Sequence, residues 1–228
     1  MKLLAIDTSG EAQVVALMVG ERRILAFEVV GRAHSQRILP AIEGVLTEAN
    51  IDVADLDAVV FGQGPGSFTG LRIGVGVAQG LAYGAGIPVV PVSTLACLAL
   101  GEHRRSDATQ LVVALVARKQ EVFYGCYRIV DGLPVLVGEE GVADASAMPS
   151  PGFADYRGVG NGWSLRDAIE NAVGARASGV TLDVLPQPED LLDIGAHYFR
   201  EGRTVPAMQA TPQYLREKVA ALPGEREH

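Results

Sequence analysis

Short apolar runs open the chain, and helical spacing enters only after three of them. Leu3 to Ile6, Val14 to Val19 and Ile24 to Val30 each read as strands, and Gly20-Glu21-Arg22-Arg23 has the composition of a hairpin turn. With such short links the three are expected to form an antiparallel meander. Ile38, Leu39, Ile42, Val45, Leu46 and Ala49 then recur at the 3.6-residue period of a helix, with Ser35 as its expected N-cap. Pro40 falls past the first turn from that cap, so it is expected to bend the helix or delay its start. After a polar link from Asp52 to Asp57, Ala58 to Phe61 reads as a fourth strand running into a glycine-rich loop and a second helix. Pro88 to Val92 is a fifth strand, and Ser93-Thr94 caps a short apolar helix from Leu95 to Leu100. This order predicts a mixed sheet covered by helices.

The polar run from Gly101 to Gln110 marks an expected domain boundary. Beyond it, Leu111 to Val116, Glu121 to Val130 and Leu133 to Gly138 read as strands, with Asp131-Gly132 as the turn between the last two. Ala143 to Asp155 reads as loop, and Gly158 to Gly162 as a strand end and sharp turn before a short helix from Ser164. Pro186-Gln187-Pro188 breaks the chain ahead of an amphipathic helix from Glu189 to Arg200. Gly224 to His228 reads as a disordered charged tail. Both halves begin rich in strand and then turn helical, as a duplicated and diverged unit would.

The stretch from Gly62 to Gly86 organises the rest. Gly64, Gly66 and Gly70 permit a tight loop around Pro65, and Ser67 or Thr69 can cap the helix beyond it. A helix from about Gly70 to Tyr83 carries so many glycines that its own propensity is poor, at about 1 kcal/mol lost per interior Gly relative to Ala. Packing that needs the missing side chains must offset this. Gly76, Gly80 and Gly84 recur at i, i+4, i+8 as one bare strip; Gly70 and Gly74 are placed at its edge, and Arg72 and Gln79 about half a turn away. Two readings stand: the helix is pressed on its own sheet along the strip, or the surface near Arg72 and Gln79 meets another subunit.

Candidate chemistry is sparse. The loop lacks the Gly-Lys-Ser/Thr ending of a Walker loop, and it is not a G-x-G-x-x-G followed by an acid at the end of the next strand. The turn Asp7-Thr8-Ser9 ends the first strand with the groups that can hold metal-bound phosphates, which makes these three the candidate nucleotide contacts. An ATPase or kinase of this kind also needs an acidic turn opening its second half, and that position reads Leu115-Val116-Ala117-Arg118-Lys119. His34, His103, His197 and His228 show no metal-ligand spacing, and Gly66-Ser67-Phe68 lacks a complete nucleophile elbow. No catalytic residue, metal site or cofactor is therefore expected.

The 228 residues are 48% hydrophobic and 20% charged, with a net charge of −8. Phosphate contacts supply most affinity for nucleic acid, so a chain this acidic is expected to meet it only through a basic partner. Cys97 and Cys126, the two cysteines, have no framework spacing. With no signal peptide and no membrane-length apolar run, a cytoplasmic location away from the membrane is the expectation.

Gly64-Pro65-Gly66-Ser67-Phe68-Thr69-Gly70-Leu71-Arg72-Ile73-Gly74 resembles the signature of the bacterial TsaB family, also called YeaZ. Leu4 to Ser9, His34-Ser35-Gln36 with Leu39-Pro40, Glu121-Val122-Phe123, Gly160-Asn161-Gly162-Trp163 and Pro212-Gln213-Tyr214-Leu215-Arg216 resemble further motifs of that family along nearly the whole chain. The resemblance implies an α/β fold like that of actin, Hsp70 and the sugar kinases (the ASKHA superfamily). It would have an N-terminal domain over residues 1–105 and a reduced C-terminal one over 106–228.

It also implies a non-catalytic subunit for making threonylcarbamoyladenosine in tRNA, on the adenosine just 3′ of the anticodon. That subunit would pair with the catalytic subunit TsaD, be joined by the small ATPase TsaE, form a homodimer when alone, and meet tRNA only within the complex. The pairing surface it implies lies on the two N-terminal helices: Ser35, Leu39, Ile42, Glu43 and Leu46 on the first, and Phe68, Arg72, Val75, Gly76, Gln79, Gly80 and Tyr83 on the second. The sequence departs from the family at Val116, where Asp-Ala-Arg is usual. A small-molecule kinase or ATPase using Asp7 and the glycine-rich loop is the competing reading, and a peptidase a third.

Overall fold

The computed structural model describes residues 1–215. The expected charged tail lies outside the described residues, as does Arg216. Three strands open the chain, β1 (Lys2–Asp7), β2 (Ala12–Val19) and β3 (Arg22–Val29), followed by helix α1 (His34–Ala49). Strand β4 (Ala58–Gly64), helix α2 (Phe68–Ala85), strand β5 (Val89–Ser93) and helix α3 (Thr94–Ser106) complete a first lobe. The first sheet has the order β3-β2-β1-β4-β5. Its meander is antiparallel, while β1 with β4 and β4 with β5 run parallel.

The second half supplies β6 (Gln110–Arg118), β7 (Glu121–Val130), β8 (Leu133–Leu136), β9 (Gly141–Asp144), β10 (Arg157–Val159), α4 (Arg166–Val173), β11 (Gly179–Thr181) and α5 (Pro188–Arg200). Its sheet runs β11-β10-β6-β7-β8, with β9 also on β7. The antiparallel and parallel pairings fall in the same positions as in the first sheet. The fold is thus a two-sheet α/β architecture in which one plan is used twice.

Alternation along the strands sorts the core into layers. Leu4, Ile6, Val15, Leu17, Val59 and Phe61 face α1 and α2. Leu3, Ala5, Val14, Ala16, Val60 and Val90 face α3 and α5, which in turn meet Leu111, Val113 and Tyr127 of the second sheet. That sheet turns Val112, Ala114, Val122 and Cys126 toward Trp163, Ile169 and Val173. Gly195 lets α5 lie close on β4, since a Cβ there would meet the Val60 side chain.

Three local expectations are corrected. Helix α1 begins at His34, so Ser35 lies inside it; Ala33 is the N-cap, and its carbonyl accepts from the Gln36 and Arg37 N–H groups. The helix also runs through Pro40 without a delayed start, and Gln36, whose carbonyl loses its donor there, is an exposed residue. Helix α3 extends to Ser106 across the polar run read as a boundary. Its charged last turn is paired, which apolar spacing alone could not show. Buried Glu102 accepts from Arg157 Nε at 2.7 Å and from Thr181 Oγ1 at 3.1 Å. Arg104 donates to Asp190 at 2.5 Å and to Asp193 at 2.6 Å on α5.

Asp190 gives a pH-dependent stability with a defined sign. Burial raises its pKa from 3.8 to about 6, against the pull of Arg104. A carboxyl whose folded pKa lies above its unfolded value binds its proton more tightly in the fold. Its stabilising contribution is complete below the unfolded value and is lost as pH rises through about 6. Wild type is therefore expected to gain stability relative to Asp190→Asn by up to roughly 3 kcal/mol as pH falls from 7 to 4. Urea unfolding at a series of pH values measures the difference, and parallel curves for the two proteins would refute the assignment.

Candidate functional site

The Asp7-Thr8-Ser9 turn and the glycine-rich loop are packed into each other. Asp7 is 1% exposed, and its Oδ1 accepts from the Ser9 N–H at 2.5 Å. Its Oδ2 has no partner among the described residues and lies where a Gly62 side chain would be. Burial pushes the Asp7 carboxyl up from its usual range, against the hydrogen bonds from Ser9 and the nearby His34. Thr8 Oγ1 donates to the Gly70 carbonyl at 2.7 Å, and the Ser67 N–H donates to the Ser9 carbonyl at 2.6 Å. Cβ atoms at Gly66 and Gly70 would collide with the Ser9 and Thr8 carbonyls, and one at Gly74 would sit 2.6 Å from Thr8 Oγ1. The peptide bond between Gly64 and Pro65 is cis. These glycines allow the close approach: Gly62 of β4 lies against the Asp7 carboxylate, and Gly66, Gly70 and Gly74 lie against Ser9 and Thr8.

Of the candidate nucleotide contacts, only Ser9 borders an open cleft. That cleft, about 650 Å³, lies between the lobes and is lined by Ser9, Glu11, Ser67, Thr94, Val116, Phe123, Asn161 and Asp183 among others. Its charged lining residues are Glu11 and Asp183, both acidic. Val116 is half exposed here, and its N–H donates to Asn161 Oδ1 at 2.8 Å. Among the described residues no group of three His, Cys, Asp or Glu is placed to hold a metal ion. Ser67 caps α2 by accepting from the Gly70 N–H at 3.3 Å, and the His34 ring nitrogen Nε2 lies 2.9 Å from the Gly10 carbonyl. Both groups that sequence reading weighed for nucleophilic or metal chemistry therefore hold local structure.

Helix α2 presents a different surface from the one its spacing suggested. Gly76, Gly80 and Gly84 face open space, with nothing within 4 Å of a Cβ built on any of them. Gly70 and Gly74 lie on the opposite, buried side, while Arg72 is exposed one turn before Gly76 on the strip itself. The strip is therefore not pressed on its own sheet, and the expected placement of Arg72 half a turn away is corrected: 72, 76, 80 and 84 succeed one another at i, i+4. Phe68 is 45% exposed, Tyr83 67% and Leu39 of α1 55%. Ser35 and Glu43 are also exposed and Gln79 partly so, whereas Ile42, Leu46 and Val75 are buried in the chain's own core. A groove of about 750 Å³ runs beside them between the helices, lined by Leu39, Ile42, Glu43, Leu46, Thr47 and Leu81.

Two further constellations join residues that nothing in the sequence connects. Glu140 accepts from Ser93 Oγ at 2.5 Å and from the Tyr127 hydroxyl, joining the last strand of the first sheet to the second sheet. Its Glu139-Glu140 setting reads as a solvated charge pair. The closing segment returns to the first lobe: Val205 bridges to Val89, the Gln213 N–H donates to the Gln63 carbonyl at 2.8 Å, and Tyr214 reaches α2.

Comparison with known proteins fits this geometry. Residues 27–193 match the family model described as TsaD, tRNA N6-adenosine threonylcarbamoyltransferase. A protein of Escherichia coli named tRNA threonylcarbamoyladenosine biosynthesis protein TsaB is 39% identical over 99% of this chain and 100% of its own length. The chain belongs to the TsaB family. The Bacillus subtilis TsaB is 31% identical over 95% of this chain and 94% of its own. The solved structure of YeaZ from Pseudomonas aeruginosa superposes with a TM-score of 0.87 at 40% identity, covering 94% of this chain and 99% of that one. TsaB-family membership and the two-lobed α/β fold thus agree with the expectation drawn from the glycine-rich signature.

Proposed function

We propose that this chain is a non-catalytic subunit in the synthesis of threonylcarbamoyladenosine in tRNA. Its relatives in Escherichia coli and Bacillus subtilis carry the name of that biosynthesis. Its work is to pair with a TsaD-like catalytic subunit and to allow a TsaE-like ATPase to join, with tRNA met only by the assembly. The open Gly76-Gly80-Gly84 strip supports this reading most directly. Three glycines facing solvent weaken a helix with no return inside the chain. They become useful when a second helix lies along them, since backbones then approach closely. Leu39, Phe68 and Tyr83 supply exposed apolar area beside the strip, and Ser35, Glu43, Arg72 and Gln79 its polar border. Without a partner, the same face can pair with its copy. The two lobes divide near residues 105 and 106 in this reading.

The kinase or ATPase alternative needs an accessible ionised acid, and Asp7 is buried with its pKa raised. Reconstituted tRNA threonylcarbamoylation, run with purified components with and without this chain, tests the proposal. Modification is expected to depend on the chain, and the isolated chain to turn over no ATP. Full modification in its absence would overturn the reading.

A further inference from the structure

The motif Pro212-Gln213-Tyr214-Leu215, singled out in the sequence, has no task in the proposed function. The structure brings it back across the molecule to the start of α2. Gln213 is fixed there twice over. Its N–H donates to the Gln63 carbonyl at 2.8 Å, and its side-chain oxygen accepts from Gln63 Nε2 at 3.2 Å. Its side chain also hydrogen-bonds Glu140, the residue that already joins Ser93 to Tyr127. The next residue, Tyr214, accepts at its hydroxyl from Arg72 Nε at 3.2 Å. Its ring stands 6.1 Å from that of Phe68, and the Arg72 guanidinium lies over the Phe68 ring at 3.7 Å from its centre.

Arg72 is therefore held on one face by an aromatic ring and at Nε by a phenol. Its two Nη groups make no hydrogen bond or ion pair among the described residues. Several other arginines of the first lobe have acidic partners, Arg22 with Glu48, Arg23 with Asp193, Arg37 with Glu28 and Arg104 with Asp190, while Arg32 has none among the described residues but lacks the aromatic and phenol contacts that restrain Arg72. A guanidinium with a restrained stem and free Nη groups presents a fork that matches a carboxylate. It stands at the head of the glycine strip, in a chain of net charge −8. An acidic group on a partner protein is its natural complement, while tRNA phosphate would meet a strongly repulsive surround.

We propose that Tyr214 is a positioning residue for partner recognition: it holds Arg72 against Phe68 so that the free end of the guanidinium receives a carboxylate of the catalytic subunit. This rests on the proposed pairing function and extends the pairing surface from α2 onto the closing segment. Gln213, held by Gln63 of β4 and by Glu140 of the second half, sets where Tyr214 stands, so the surface depends on both halves of the chain.

The test is the affinity for a purified TsaD-like subunit, measured by titration calorimetry at two salt concentrations with the full chain. Tyr214→Phe keeps the ring and removes only the acceptor, and is expected to weaken binding about fivefold to tenfold. Arg72→Gln is expected to weaken it more and to flatten the salt dependence, and Arg72→Lys to fall between. In the Arg72→Gln background, Tyr214→Phe is expected to cost little further, which a purely structural role for the tyrosine would not produce. Wild-type affinity in Tyr214→Phe, or additive losses in the double variant, would overturn the inference while leaving the pairing function standing. Failure of the wild-type chain to bind the subunit at all would instead remove the pairing reading. A loss confined to tRNA binding, with partner affinity unchanged, would assign Arg72 to phosphate and overturn the carboxylate.

Discussion

Replacing Gly76 and Gly80 together is expected to separate stability from assembly, moving them in opposite directions. With alanine at both, the free chain gains on the order of 1 kcal/mol per site, because interior glycine is the weaker helix former and each new Cβ meets nothing within 4 Å. With leucine at both, the free chain still folds, since the space outside the strip is open. The leucine pair nevertheless stands where a partner backbone must approach, and affinity for the catalytic subunit is expected to fall at least about 100-fold, near 3 kcal/mol. Thermal melts of the free chain and calorimetric titration of the pair read the two quantities separately. Undiminished affinity in the leucine variant would show that the strip is not the contact. A melting point lowered by the alanine variant would show that the strip is covered within the chain after all.

Gly70→Ala is expected to do the reverse, damaging the fold rather than the surface. A methyl there would enter the Thr8 carbonyl oxygen, a backbone atom held in β1's turn, and Thr8 Oγ1 would lose its 2.7 Å bond to the Gly70 carbonyl as the helix shifted. Overpacking of this kind costs roughly 1–3 kcal/mol and the lost buried hydrogen bond about 1 more. A combined loss of about 2–4 kcal/mol corresponds to a fall in melting temperature on the order of 10 °C for a chain of this size. Gly84→Ala is the matched control, since its Cβ meets nothing and the melting point is expected to hold or rise. Should Gly70→Ala lose less than about 1 kcal/mol in urea unfolding, the close packing of loop on turn would be refuted.

The contrast between these two glycines also marks how far the sequence could be read. The meander, the parallel strands, α1, α2 and α5 are legible from period and turn chemistry, and the signature from Gly64 to Gly74 carries the family. Spacing showed that Gly76, Gly80 and Gly84 share a strip, but not which side of the helix the sheet takes. That choice is made by the Asp7-Thr8-Ser9 turn, whose carbonyls demand Gly66 and Gly70 underneath. The end of α3 was hidden because Glu102 and Arg104 look solvated until Arg157, Thr181 and Asp190 arrive from positions far along the chain. Tyr214 was visible as a motif and mute as to its target, since its partners at 68 and 72 are set by tertiary return alone. Three of the implied pairing residues, Ile42, Leu46 and Val75, share helical faces with surface residues, and only packing separates them.

The reach of α5 has a consequence for the chain during its synthesis. Leu191, Leu192 and Ile194 cover the inner face of a sheet whose last strand ends at Ser93. When that strand leaves the ribosome, nearly a hundred residues remain to be translated before its cover exists. At about 5–20 residues per second the part of that inner face that α5 covers waits several seconds in the open. Newly made N-terminal halves are thus natural clients for chaperones, and a fragment ending before Pro188 is expected to be recovered as aggregate, however complete its first five strands.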